Sequence, residues 1–186
     1  VASNGPAPLG AAALARDADR GPDEQCNADI ILGQEWVVAA VTPGGTYGLL
    51  KRKWPRGVFG HALCDLLVLD EASQMNLPEA LMAALPLAPD GPVVVVGDHR
   101  QMPPIVKHDW DTEVRRTFRR YAVYESLFDT LRAQAPAPPV IRFEESFRLH
   151  KAMAAFLCRE VYRHDGINYH SKRSGVLPAH PLADDF

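Results

Sequence analysis

Two short apolar runs, each breaking off into polar residues, constrain the fold of this chain more than any other feature. The first is Leu66, Leu67, Val68 and Leu69, followed at once by Asp70 and Glu71. The second is Val93, Val94, Val95 and Val96, followed by Gly97 and Asp98. Continuous rather than alternating runs belong to strands buried on both faces, the habit of parallel sheets in α/β proteins. Between them, residues 77–85 are rich in Ala and Met, and Pro78 suits a first helical turn. The order strand, helix, strand predicts a parallel sheet with helices on both faces. Such a sheet delivers whatever follows each strand to its carboxyl edge, where open α/β folds bind ligands.

The remaining segments read less sharply. Residues 1–28 are rich in Ala, Gly, Pro and Asp, with a helical stretch at 11–18 ended by Gly21 and Pro22. Residues 36–41 form another apolar, β-branched run, predicted as a buried strand that closes in a turn at Thr42, Pro43, Gly44 and Gly45. A helix is expected over 113–132, then a breaker at 133–139 and a short strand at 140–143. Met153, Phe156, Leu157 and Val161 are spaced as on a helix over 151–162. From His164 onward no element is predicted.

With 47% hydrophobic residues among 186, the chain can build a core. Its net charge of −3 announces no polyanion partner, although a local basic stripe can hide in a neutral total. Lys51, Arg52 and Lys53 form one basic cluster, and Arg115, Arg116, Arg119 and Arg120 another. Either reads equally well as a solvated face. Cys26, Cys64 and Cys158 lie far apart, which argues against a zinc site or disulfide framework and suits a reducing compartment. No apolar run reaches the roughly 18 residues that span a bilayer, and the start of the chain lacks a basic region followed by an apolar core. A cytoplasmic, nucleoid or nuclear location without membrane contact is expected. The chain begins with Val, as a processed chain or a fragment does.

Three segments carry chemistry. Asp70 and Glu71 at a strand end pair a potential Mg²⁺ ligand with a potential proton acceptor. The plain alternative is a turn with two solvated acids. In the stretch Gly97, Asp98, His99, Arg100, Gln101, Met102, Pro103, Pro104, the glycine permits close backbone approach. The Gln101 amide can bond a phosphate oxygen or a water. Phe147 beside Arg148 offers a stacking face and a cation for a transferring phosphoryl group. By itself that pair reads more readily as a core Phe next to a salt-bridged Arg.

In this order the three segments resemble the Upf-like and senataxin-like helicases of superfamily 1. Asp70-Glu71-Ala72-Ser73-Gln74 is similar to their DEAxQ motif II. Gly97 through Pro104 is similar to motif III, and Ser146-Phe147-Arg148-Leu149-His150 to motif IV. Ser126-Leu127-Phe128 and residues 156–162 match supporting segments. The resemblance covers residues 28–169. It implies a RecA-like P-loop fold, with residues 29–135 forming the later part of a first domain and 136–186 opening a second. Residues 1–28 form a flexible or partly helical lead. It further implies Asp70 as the Mg²⁺ ligand through water, Glu71 as the base and Gln101 as a γ-phosphate sensor. Arg148 would reach the γ-phosphate of ATP, Phe147 would stack near adenine, and Thr42 and Gly44 would touch the nucleic-acid backbone. The implied partners are single-stranded DNA or RNA and the remainder of a parent helicase chain.

No Gly-x4-Gly-Lys-[Ser/Thr] loop occurs in the sequence, so nothing in it cradles ATP phosphates. Gly44-Gly45-Thr46-Tyr47-Gly48 fails because Leu49 and Leu50 follow. The leading expectation is an ATP-dependent helicase segment, inactive alone. A non-catalytic nucleic-acid- or protein-binding remnant is the second reading. A metal nuclease built on Asp65, Asp70 and Glu71 is the third, weakened because Asp65 lies five positions before Asp70 along a strand, which points it to the other face.

Overall fold

A computed structural model describes residues 14, 19, 21, 24–105, 112, 114, 115 and 120–175. The helix expected at 11–18, Arg116 and Arg119 of the second basic cluster, and the tail beyond 175 lie outside these residues. The chain divides into two units, Val1–Ala133 and Gln134–Phe186.

In the first unit the elements are α1 (Asn27–Leu32), α2 (Pro43–Lys53), β1 (Leu67–Leu69), α3 (Leu77–Ala84), β2 (Val93–Val95) and α4 (Leu127–Arg132). The two strands pair in parallel, Leu67 with Val93, Val68 with Val94 and Leu69 with Val95. Parallel strands need a long crossover, and α3 lies within it, as the apolar runs predict. The start of α3 is specified locally by a reciprocal capping box. The Asn76 side chain accepts from Glu79 N at 3.0 Å, while the Glu79 carboxylate accepts from Asn76 N at 3.1 Å. The core is small. Leu69, Ala72, Ala80 and Ala83 are buried together, with Leu67, Met75, Val95, Leu127 and Phe128 packed around them.

The expected cover on both faces of the sheet is not found among the described residues. Side chains alternate along a strand, so Leu67 and Leu69 share one face and Val68 the other. Leu69 is buried, whereas Val68 is 54% exposed and its register partner Val94 46%. The apolar continuity that suggested two-sided burial thus has a packed partner on one side only.

Residues 36–41 correct the sequence reading. They form no strand, no backbone hydrogen bond joins them to another described residue, and Trp36 and Val38 lie in the open. A strand exists only as one of a pair, and β-branched composition does not supply the partner. The predicted turn at 42–45 is likewise the first turn of α2. Thr42 caps it by accepting from Gly45 N at 3.2 Å, and Pro43 enters at the first helical position. The helix expected over 113–132 is reduced, in its described part, to α4. Ala122 has a φ of 44°, and Ser126 starts a fresh helix by accepting from Asp129 N at 3.0 Å.

Packed on α2, α1 is a helix that composition did not suggest. The Cys26 thiol and the Lys53 ammonium both donate to the Asp29 carboxylate, joining the two helices. The thiol bond, then the ammonium bond, holds the Asp29 carboxyl below its ordinary range, and the Asp29 partner raises Lys53 above its own.

The second unit contains β3 (Glu145–Ser146), α5 (Lys151–Leu157) and β4 (His170–Ser171). The two strands pair in parallel. The helix expected over 151–162 is present, but it continues from α5 as a π-helical segment, Cys158–Tyr162, and a 3₁₀ turn, Arg163–Asp165. The strand expected at 140–143 is not formed. His170 N donates to Glu144 O at 2.8 Å, which places the pairing at 144–146 and leaves Val140, Ile141 and Phe143 exposed. Among the described residues no helix is long and apolar enough to cross a membrane.

Two outcomes follow from this packing. Asn76→Ala removes the capping box and lowers stability by about 1 kcal/mol, read as a lower urea midpoint with an unchanged slope. For Asp29 the folded pKa lies below the unfolded one, so its contribution is complete above the ordinary carboxylate value and is lost as pH falls through the folded value. For Lys53 the folded value is the higher, so its contribution disappears only in strong alkali. The α1–α2 junction is therefore insensitive to pH near neutrality. Asp29→Asn, which imposes the acid state at neutral pH, increases the labelling rate of the buried Cys26 thiol severalfold, measured by mass spectrometry of its peptide.

Candidate functional site

Beyond the last paired residues the two strands remain tied. Val96 N donates to Leu69 O at 2.8 Å, and Ala72 N returns a bond to Val96 O at 2.8 Å. The backbone that follows each strand is therefore held beside the other at the carboxyl end of the sheet. Ser73, 2% exposed, completes the clasp by accepting from Asp98 N at 3.4 Å. Gly97 is required by the same closeness. A Cβ there would lie 2.9 Å from Ser73 N and 2.9 Å from Phe128 Cδ2. Asp70 and Glu71 on one loop thus share an edge with Asp98 and Gln101 on the other.

Glu71 occupies the left-handed region, with φ 54° and ψ 36°. A residue with a Cβ pays roughly 1–2 kcal/mol for that conformation, and such strain collects at functional sites. Part of the compensation is local: Glu71 N donates to Asp70 Oδ1 at 3.0 Å, and the following residues 72–74 close a 3₁₀ turn. The turn sets the exposed carboxylates of Asp70 and Glu71 at the strand end, and that of Glu71 has no partner among the described residues.

The second loop is organised by Asp98. Its carboxylate accepts from Arg100 N at 2.9 Å and from the Gln101 side-chain amide at 3.3 Å, while its carbonyl accepts from Gln101 N at 3.0 Å. Gln101 is consequently held by one N–H of its amide, leaving the other N–H and the carbonyl oxygen directed away from that bond. Pro104 is buried, and the chain leaves the loop beside a hollow of about 290 Å³ lined by Pro103, Pro104, Tyr124, Glu125, Ser126 and Asp129. Asp70, Glu71 and Gln101 do not line it.

The other predicted site residues lie elsewhere. Thr42 spends its hydroxyl on the cap of α2, and Gly44, in the first turn, has open space where a Cβ would be. Phe147 and Arg148 belong to the second unit. Phe147 is 84% exposed rather than in a core, and the Arg148 guanidinium has no partner among the described residues. Their loop is rigidly tied by its backbone: Leu149 N donates to Ser146 Oγ at 3.1 Å, Ser171 Oγ to Leu149 O at 2.6 Å, and Arg173 to Arg148 O at 2.8 Å. Asp65 sits before the amino end of β1, a full strand from Asp70. No group of three His, Cys, Asp or Glu among the described residues is placed to share a metal, so the acids of the nuclease reading do not converge.

Sequence reasoning did not single out Ser73 and Asp98 as structural members of the site. The signals were present, a small polar residue in the turn after a strand and an Asp two residues before the Arg100 backbone N–H it caps.

No family model matches the chain. Over 72 residues, 39% of this chain, it is 40% identical to the DNA replication ATP-dependent helicase/nuclease DNA2 of Saccharomyces cerevisiae, covering 4% of that protein. It is 30% identical over 105 residues, 56% of this chain, to the Mus musculus and Homo sapiens proteins of the same name, covering 9% of each. The shared stretch thus spans less than a tenth of the relatives' own length. The similarity is weak and partial, and it supports a helicase-related segment.

Gly97→Ala forces backbone apart at the clasp. A loss of about 1–3 kcal/mol is expected, as for other overpacked positions, measured by denaturant unfolding against Gly44→Ala, which meets open space.

Proposed function

We propose that this chain is the central segment of an ATP-driven superfamily 1 helicase or translocase of the Upf-like and senataxin-like type. It would contribute the hydrolytic edge of a first RecA-like domain and the opening of a second, and its partners would be single-stranded nucleic acid and the rest of the parent chain. The observation that carries this reading is the clasp at the carboxyl end of β1 and β2. It places two acids and an oriented amide on adjoining loops at the edge where open α/β sheets bind ligands.

The donor set fits Mg²⁺. Asp70 offers a hard carboxylate with one oxygen engaged by Glu71 N and the other without a partner among the described residues. Mg²⁺ is ordinarily held by one or two carboxylates, waters and substrate phosphates rather than by a protein cage. When bound, the ion would neutralise charge on the β- and γ-phosphates. Glu71, without a partner among the described residues and fixed by its turn, is suited to take the proton of the attacking water. Gln101, steadied by Asp98, has the remaining amide atoms with which to orient that water or meet a phosphate oxygen. Arg148 supplies a guanidinium with no partner among the described residues for developing phosphoryl charge, and Phe147 an exposed ring face for adenine. Thr42 and Gly44 are assigned to strand contact through the first turn of α2. ATP itself is only partly provided for, since the phosphate cradle is not among these 186 residues.

The test joins these residues to the Gly-x4-Gly-Lys-[Ser/Thr] segment expected upstream of them. Strand-stimulated ATP hydrolysis is expected from the joined polypeptide, and none above background from the 186 residues alone. In the joined form Glu71→Gln lowers kcat by about 100-fold or more, with the KM for ATP little changed. Turnover undiminished in that variant, or robust hydrolysis by the chain alone, overturns the assignment.

A further inference from the structure

From residue 36 to residue 64 the sequence contains no Asp or Glu, yet it holds Lys51, Arg52, Lys53 and Arg56, in a chain whose net charge is −3. Of these four cations, Lys53 alone has a carboxylate partner among the described residues, Asp29. Lys51 Nζ donates to Pro55 O at 3.2 Å, and Arg52 donates to Gly21 O at 3.3 Å. Carbonyl partners fix the position of a cation without cancelling its charge. Among the described residues, Lys51 and Arg52 in the last turn of α2 therefore present positive charge that no carboxylate compensates, in set places.

The loop after that turn is preorganised as well. The Trp54 and His61 rings stack with centroids 4.1 Å apart and planes within 2°, drawing the two ends of the loop together. Gly57 N donates to Trp54 O at 3.2 Å, and Val58 is buried, pinning the middle. What remains outward is Arg56, exposed and without a partner among the described residues, and Phe59, 79% exposed. An exposed Phe alone means little. An exposed Phe on an anchored loop, flanked by three cations with no carboxylate partner among the described residues and lying on an acid-free stretch, matches the two requirements of single-stranded nucleic acid: positive charge along the backbone and a ring face for an unstacked base.

We infer that the loop at 54–61, with Lys51 and Arg52, is a binding surface for single-stranded nucleic acid, in which Phe59 stacks on a base and Arg56, Lys51 and Arg52 meet phosphates. The choice of ligand class rests on the reading above, whereas the site does not depend on ATP hydrolysis. Duplexes, whose base faces are hidden, bind more weakly because only the phosphate contacts remain.

The experiment is fluorescence anisotropy of a labelled thymidylate oligomer of about 20 nucleotides with the 186-residue chain, across a salt series. Phe59→Ala weakens binding about tenfold with the salt slope retained, and Phe59→Trp restores it. Arg56→Ala weakens binding and makes the slope shallower by about 0.7. Arg142→Ala, an exposed cation of the second unit, leaves both unchanged. Matching thermal transitions confirm that each variant folds. Binding by Phe59→Ala equal to that of the parent, binding of polyglutamate or duplex as tightly as the single strand, or no binding at low salt overturns the inference. The helicase reading is judged separately, by turnover of Glu71→Gln.

Discussion

Everything at the candidate site depends on a short parallel ladder and the two bonds that prolong it. Leu69 O accepts from Val96 N, and Val96 O accepts from Ala72 N. Without them, the loops that follow β1 and β2 would be independent turns, each free to present its polar residues in any direction. With them, the backbone at 70–74 and that at 97–101 are held at strand separation, and Gly97 and Ser73 settle how closely they approach. The chemistry proposed for Asp70, Glu71 and Gln101 is a consequence of this backbone arrangement rather than of side-chain contact among the three.

Where the chain was legible, local signals and tertiary partners agreed. The runs at 66–69 and 93–96 read as parallel strands because each finds the other; α3 read as a helix from its composition and Pro78, and the Asn76–Glu79 capping box specifies its start without outside help. At 36–41 the composition is as strand-like as in β1, but the partner is lacking among the described residues. At 42–45 two signals competed. Pro-Gly-Gly suggests a turn, Thr-Pro suggests an N-cap and first helical position, and the cap prevailed. In the second unit the pairing of Glu145–Ser146 with His170–Ser171 was hidden because neither segment is apolar.

At the site, the residue types were legible and their supports were not. Asp70, Glu71 and Gln101 stand out by motif, whereas the roles of Ser73, Asp98 and the left-handed Glu71 emerge only from hydrogen bonds and dihedral angles. The exposed Val68 and Val94 tell a related story about packing. A strand pair with one bare apolar face has the composition of a sheet interior and the environment of a surface, and exposed apolar patches of that kind favour association.

The conformation of Glu71 sets two kinds of fitness against each other. At that backbone geometry Gly is the residue of least strain, and Asn comes next. A library of variants sorted only for thermal endurance would therefore drift away from Glu at position 71. On the proposed role of Glu71 as base, one sorted for turnover would return to it, and the gap between the two enrichments would measure how far the molecule sacrifices comfort for a carboxylate in that place.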